Sequence, residues 1–153
     1  MDINFYWENL DIKLDQLSKH GVVKLPSLKM FDLDKISNNI SLEMGHQTFQ
    51  ELGSSHEIFL NELGINQYLA PRLFELARKV FNYKGDLDNQ YHIARKVMPG
   101  NSKEMFRAHF DSHLFTMVIP IKIPNKLAKE NIGELVYFPK IRNLPKNEFS
   151  NFL

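Results

Sequence analysis

Up to about residue 90 the apolar positions recur every three or four residues, and beyond it they alternate. Leu10, Leu14 and Leu17 fall on one helical face, and Gly21 after His20 predicts where that helix stops. A charged His20 would meet the negative end of the helix dipole there. The stretch VVKLP predicts a short strand ended by Pro26. Asp32 or Asp34 predicts the cap of a second helix reaching Met44, with Leu33, Ile36, Ile40 and Met44 on one side. GHQTFQELGSSHEIF has no clear period and reads as loop with some strand, and its His46 and His56 suggest no role. NQYLAPRLFELARKVFNYKG predicts a third helix. Its stripe is Leu69, Leu73, Leu76 and Val80, Pro71 fits its first turn, and Gly85 lies past its end.

After residue 90, YHIARKVM predicts a strand, PGNSKE a turn, and MFRAHFDSHLFTMVIPIKI one long strand or two consecutive ones. GELVYFP predicts a further strand. Helices followed by strands imply an α+β domain whose helices support an antiparallel sheet. The expected organisation is one domain over 1–153, with a mainly helical region over 1–89 and the first core strands over 90–153.

Composition narrows the class. With 43% hydrophobic and 24% charged residues, the 153-residue chain has a globular balance, and twelve phenylalanines supply bulk for a core. A net charge of +1 with both signs mixed argues against nucleic acid as a partner. No cysteine is present, which removes disulfides and thiolate chemistry and fits a cytoplasmic protein. The N-terminal MDINFYWENLDIKLD is too acidic for a signal peptide, and no apolar run is long enough to cross a membrane. Phosphate-binding glycine loops and the Gly-x-Ser-x-Gly nucleophile elbow are also missing.

Candidate chemistry sits in FRAHFDSHLF. On a strand, Arg107, His109, Asp111 and His113 share one face, opposite Phe106, Ala108 and Phe110. A solvated polar face is one reading of that alternation. The other is a metal site, because His109 and Asp111 would have Cβ atoms about 6–7 Å apart, a span their side chains can close around an ion. His113 would lie about 13 Å from His109 along an extended strand, too far to share that ion without a bend. The following LFTMVIPIKIP is apolar on both faces and predicts a well-covered sheet. Arg107 either orients Asp111, binds a substrate carboxylate or faces solvent. His92 is either an ordinary histidine or a further ligand, and Glu134 is a strand end or a substitute carboxylate.

ARKVMPGNSKEMFRAHFDSHLFTMVIPIKIP, continuing to IGELVYFPKIR, resembles the iron(II)/2-oxoglutarate-dependent oxygenases. The lead-in LSKHGVVKLPSL is similar to that of phytanoyl-CoA-hydroxylase-like members, and the prolyl-hydroxylase-like branch shares the His-x-Asp strand. The resemblance implies N-terminal helices packed on an antiparallel double-stranded β-helix, a jelly roll of eight strands, of which this sequence supplies about four or five. It implies Fe(II) held by His109 and Asp111 with a distal histidine, and 2-oxoglutarate as co-substrate. Thr116 and Arg107 are the candidate contacts to the oxo-acid. Neither the distal histidine nor the arginine that pairs with the oxo-acid's far carboxylate has a counterpart here, and Arg142 falls too early for that role. Lys96 and Val97 stand where some members carry a tyrosine that contacts the co-substrate.

The incomplete core is expected to be finished by further chain or by strand exchange in a homo-oligomer. The substrate would be a small molecule or a side chain. Two other classes fit the same residues. One is a non-catalytic binding module that pairs through its open sheet edge. The other is a cupin-like metal protein recruiting His92 or His113.

Overall fold

A computed structural model describes residues 2–51, 53–87, 90–96 and 113–123. Asp2 accepts a hydrogen bond from the Asn4 amide at 3.1 Å and starts α1, Ile3–Trp7. A five-residue helix does not persist alone. Burial of Tyr6 and Trp7 holds it in place. α2 spans Leu10–His20, buries Leu10 and Leu14, and ends at Gly21, whose left-handed φ of 75° lets its amide reach Leu17 at 2.7 Å. The predicted VVKLP strand is absent. The segment has no regular secondary structure and pairs with no strand among the described residues, and the Pro26 carbonyl instead accepts from the Tyr6 hydroxyl at 3.2 Å.

α3 covers Leu33–Met44, with Asp32 accepting from the Lys35 amide at 3.0 Å as its cap. Its predicted stripe faces inward, and Met44 is buried. β1, Phe49–Glu51, follows, and then α4, Ser54–Glu62, appears where loop was expected. The third predicted helix forms with a difference at each end. Residues Ile65–Leu69 wind as a π-turn leading into α5, Ala70–Phe81. Pro71 supplies no amide to the turn before it and its ring crowds that turn's carbonyls, so a widened turn relieves the clash. α5 ends at Asn82, in left-handed conformation at φ 53°, earlier than Gly85. Val80 ends the stripe half-exposed.

The expectation of a jelly-roll core is overturned. Helices dominate the described residues, and the sheet has only two strands, β1 and β2, Ile93–Arg95. They run antiparallel, with Phe49 opposite Arg95 and Glu51 opposite Ile93, and the Lys96 amide reaches Thr48 at 2.9 Å. Among the described residues, the partner of β2 thus comes from the helical half of the chain. Residues 113–123, expected to lie in a sheet covered on both faces, form no ladder. Ile119 and Ile121 pack on the helical core, while Leu114, Val118 and Ile123 are exposed. The apolar run therefore finds its cover on helices and on one side only.

The core is built from Tyr6, Trp7, Leu10, Leu14, Phe59, Leu63, Ile65 and Leu69. α3 joins it through Ile36, and Phe31, just before α3, packs edge-on against Phe59 at 5.3 Å. Between α4 and the π-turn, Gly64 adopts φ 74°. An added Cβ would lie 2.6 Å from Tyr68 Cδ2, and that ring cannot swing away. It stacks on Trp7 at 6.4 Å, and its hydroxyl donates to Asn4 Oδ1 at 2.6 Å. Gly64→Ala is expected to lose about 2 kcal/mol in urea unfolding, from the left-handed backbone and the displaced ring. A loss under about 0.5 kcal/mol would mean the Tyr68 ring is free to move.

Candidate functional site

Arg107, His109 and Asp111 lie outside the described residues, as do the PGNSKE turn, Glu134 and the GELVYFP segment. Thr116 is on the described segment 113–123 and is exposed. The described structure does show how the chain is held directly after the His-x-Asp pair. It bends at His113, whose imidazole stacks on Tyr91 with ring centroids 5.9 Å apart and planes 8° from parallel. The Tyr91 hydroxyl donates to Glu51 Oε1 at 2.6 Å, a hydrogen bond that raises the phenol above its ordinary pKa. Phe115 meets Phe81 of α5 at 6.0 Å, and Ile119 and Ile121 rest on the core. Lys122 lies 3.9 Å from Asp34, an exposed pair that adds little. Four successive side-chain contacts thus fasten this segment to α5, the sheet and the core.

A second group of ionisable side chains surrounds the start of α4. Glu43, reaching from α3, accepts from the Ser54 amide at 2.6 Å, the Ser54 hydroxyl at 3.1 Å and the Ser55 amide at 2.7 Å. It caps a helix whose own N-cap, Gly53, has no side chain to do so. Hydrogen bonds from the Ser55 hydroxyl and amide, then from Ser54, hold its carboxyl down to about 2. In the first turn of α4, His56 is 5% exposed, and its Nε2 has no hydrogen-bond partner among the described residues. Burial lowers its pKa, against the pull of Glu43 and Glu57, and the neighbouring His92 lowers it further. Here His92 is a neighbour of His56. Among the described residues no three histidine or carboxylate side chains gather where a metal ion could be held.

Both shifts make the fold sensitive to acid. Each group has a folded pKa below its unfolded value, so each contributes stability above the unfolded value that is lost as pH falls. For His56 the loss begins near its ordinary value of 6.5, and for Glu43 it runs from about 4.5 down to about 2. Urea midpoints measured from pH 8 to pH 3 should therefore fall in two stages. His56→Leu should flatten the upper stage and Glu43→Gln the lower one. If neither variant changes its stage, these two groups do not set the acid response.

Two shallow cavities mark the described surface. One, of about 160 Å³, is lined by Phe5, Tyr6, Leu10, Lys13, Leu25 and Pro26. The other, of about 290 Å³, lies beside Arg78, Asn82, Tyr83 and Lys84. Neither includes a residue of 113–123. Among the described residues, no helix is long and apolar enough to cross a membrane. The sequence reading missed the Glu43–His56 group. Its one available signal was Ser54-x-x-Glu57, the spacing of a capping box, set inside a Gly-Ser-Ser run that looks like a loop. Comparison with models of protein families, with curated proteins and with solved structures gave no match.

Proposed function

We propose that the chain acts as an iron(II)/2-oxoglutarate-dependent oxygenase, with His109 and Asp111 as two of its protein ligands. The motif suggests the reading, and the fastening of the segment that follows it is the structural observation in its favour. A metal site needs a backbone that does not drift. Contacts of His113, Phe115, Ile119 and Ile121 to the sheet, α5 and the core begin two residues after Asp111. The proposal does not rest on a jelly-roll core.

The donor set suits the ion. One imidazole and one carboxylate match the nitrogen and oxygen preference of ferrous iron, and no thiolate is present to favour zinc. Together with 2-oxoglutarate and O₂, bound iron supplies the oxidising equivalent that hydroxylates a C–H bond, with release of succinate and CO₂. His109 and Asp111 would hold the ion and leave positions open for the oxo-acid. Arg107 and Thr116 are the proposed contacts to the oxo-acid, and a second copy of the chain is the proposed source of a further ligand. The substrate is a small molecule or a side chain.

The test is an anaerobic titration with Fe(II) and then 2-oxoglutarate. A visible charge-transfer band is expected in the wild-type chain and not in His109→Ala or Asp111→Ala. A band that survives both substitutions, or that never forms, overturns the proposal.

A non-catalytic interaction module has one observation of its own. Phe49 and Ile93 lie diagonally on one face of the two-stranded sheet, each 45% exposed, and that face is suited to a partner. This reading expects no band.

A further inference from the structure

We propose that the cavity lined by α1, the start of α2 and residues 25–27 binds a small monocarboxylate with an apolar body of about six carbons, its carboxylate meeting Lys13. The apolar walls are Phe5, Tyr6, Trp7, Leu10, Leu25 and Pro26. The polar atoms on the aromatic walls are already bonded. The Tyr6 hydroxyl donates to the Pro26 carbonyl at 3.2 Å, and Trp7 Nε1 donates to the Leu63 carbonyl at 2.8 Å. A ligand body lying against them therefore binds through apolar surface. The Phe5 ring is 59% exposed, so a bound body has a large apolar face to cover. Size limits that body. The cavity measures about 160 Å³. An apolar space of about 150 Å³ accommodates one benzene ring.

Charge selects the head of the ligand. Lys13 is half-buried and is the one charged residue lining the cavity. Among the described residues its ammonium forms no ion pair and no hydrogen bond. The acidic side chains two positions to either side are engaged elsewhere. Asp11 lies 3.8 Å from Arg72, and Asp15 holds Lys19 at 2.6 Å. Asn9 also lines the cavity and makes no side-chain bond to the helix it precedes, and Ser27 adds a hydroxyl. An ammonium with two neutral donors suits a carboxylate, which accepts one charge-assisted hydrogen bond and weaker ones beside it. A cationic head would meet Lys13 directly. A second negative charge would find no second cation in the lining.

Trp7, the chain's one tryptophan, is a wall of the cavity and therefore reports on its occupant. Iron-free protein is titrated with phenylacetate, and in parallel with phenethyl alcohol and phenethylamine, which keep the ring and change the head. Tryptophan fluorescence should respond saturably to phenylacetate, with half-saturation at about 0.1–1 mM for a ligand of this size. Phenethyl alcohol should bind about five- to tenfold more weakly, and phenethylamine should not saturate below about 10 mM. In Lys13→Gln the acid should lose about five- to tenfold and the alcohol less than about twofold, so the preference for the acid disappears. Lys13→Arg should keep that preference.

Backbone amide shifts in the wild-type chain locate the site without any substitution. The changes caused by phenylacetate should centre on α1, the first turn of α2 and residues 25–27. Far-UV circular dichroism and the urea midpoint check that both Lys13 variants retain the fold. Equal affinity for acid and alcohol in wild type overturns the proposal, as does a preference that survives Lys13→Gln. Shift changes centred elsewhere, or no saturable response to phenylacetate, overturn it as well. No iron is added at any stage, so these outcomes are independent of the oxygenase reading.

Discussion

Trp7→Ala is expected to destabilise the protein by about 4 kcal/mol, read from urea unfolding followed by far-UV circular dichroism. Trp7 is the chain's one tryptophan, and it is 5% exposed. It sits edge-on to Tyr6 at 4.8 Å, stacks on Tyr68 at 6.4 Å, and donates from Nε1 to the Leu63 carbonyl at 2.8 Å. Removing the indole empties the space between α1 and the π-turn. It also leaves the Leu63 carbonyl without that donor. The α1 helix has only five residues and no other large buried group besides Tyr6, so it is expected to detach. Trp7→Phe separates the two contributions. It retains much of the ring packing and should cost about 1–2 kcal/mol for the lost hydrogen bond. A loss below about 1 kcal/mol in Trp7→Ala would show that α1 is not part of the folded core. Domains of this size are held by about 5–15 kcal/mol, so Trp7→Ala should also lower soluble yield.

Leu63→Ala should cost about 3 kcal/mol by the same measurement. Leu63 is fully buried, at 0% exposure, and lies at the end of α4 amid the residues of the aromatic and leucine core. The cavity it leaves is lined by elements separated widely in sequence, which cannot all close in together. Its effect should not add simply to that of Trp7→Ala, because both side chains belong to one buried core cluster, although the Leu63 carbonyl that Trp7 bonds stays in place in Leu63→Ala. A double-mutant cycle is expected to show coupling of about 1 kcal/mol. Simple additivity would mean that the indole and the leucine pack in separate regions.

Local signals in the sequence located α2 and α3 well. Gly21 does take the left-handed turn its position suggested, and Asp32 does cap the helix that follows it. These are interactions between residues a few positions apart, which a sequence displays directly. α4 was not legible for the opposite reason. Its first turn is capped by Glu43 from another helix, eleven residues upstream of Ser54, and the local Gly-Ser-Ser run points to a loop. The π-turn was hidden because Pro71 was read as a first-turn proline, whereas the coil already winds from Ile65.

Alternation after residue 90 was read as a sheet, but period two only says that one side of an extended chain is apolar. For 113–123 that side meets helices. Of the candidate site, Arg107, His109 and Asp111 fall outside the described residues, Thr116 is exposed, and the contacts of His113 and Phe115 are tertiary. A stack between residues 91 and 113 leaves no mark on local periodicity.

The bond from Trp7 to Leu63 also sets a timetable for synthesis. The donor lies 56 positions ahead of its acceptor. At about 5–20 residues per second, a ribosome needs about 3–11 s to make the residues between them. During that interval the nascent chain carries an unsheltered indole and phenol on a helix too short to stay wound. The first compact nucleus cannot form until Leu63, Ile65 and Leu69 have emerged, so the N-terminal segment waits longest for its cover although it is made first. A chaperone that recognises exposed aromatic side chains would find its binding site in residues 3–7 during those seconds.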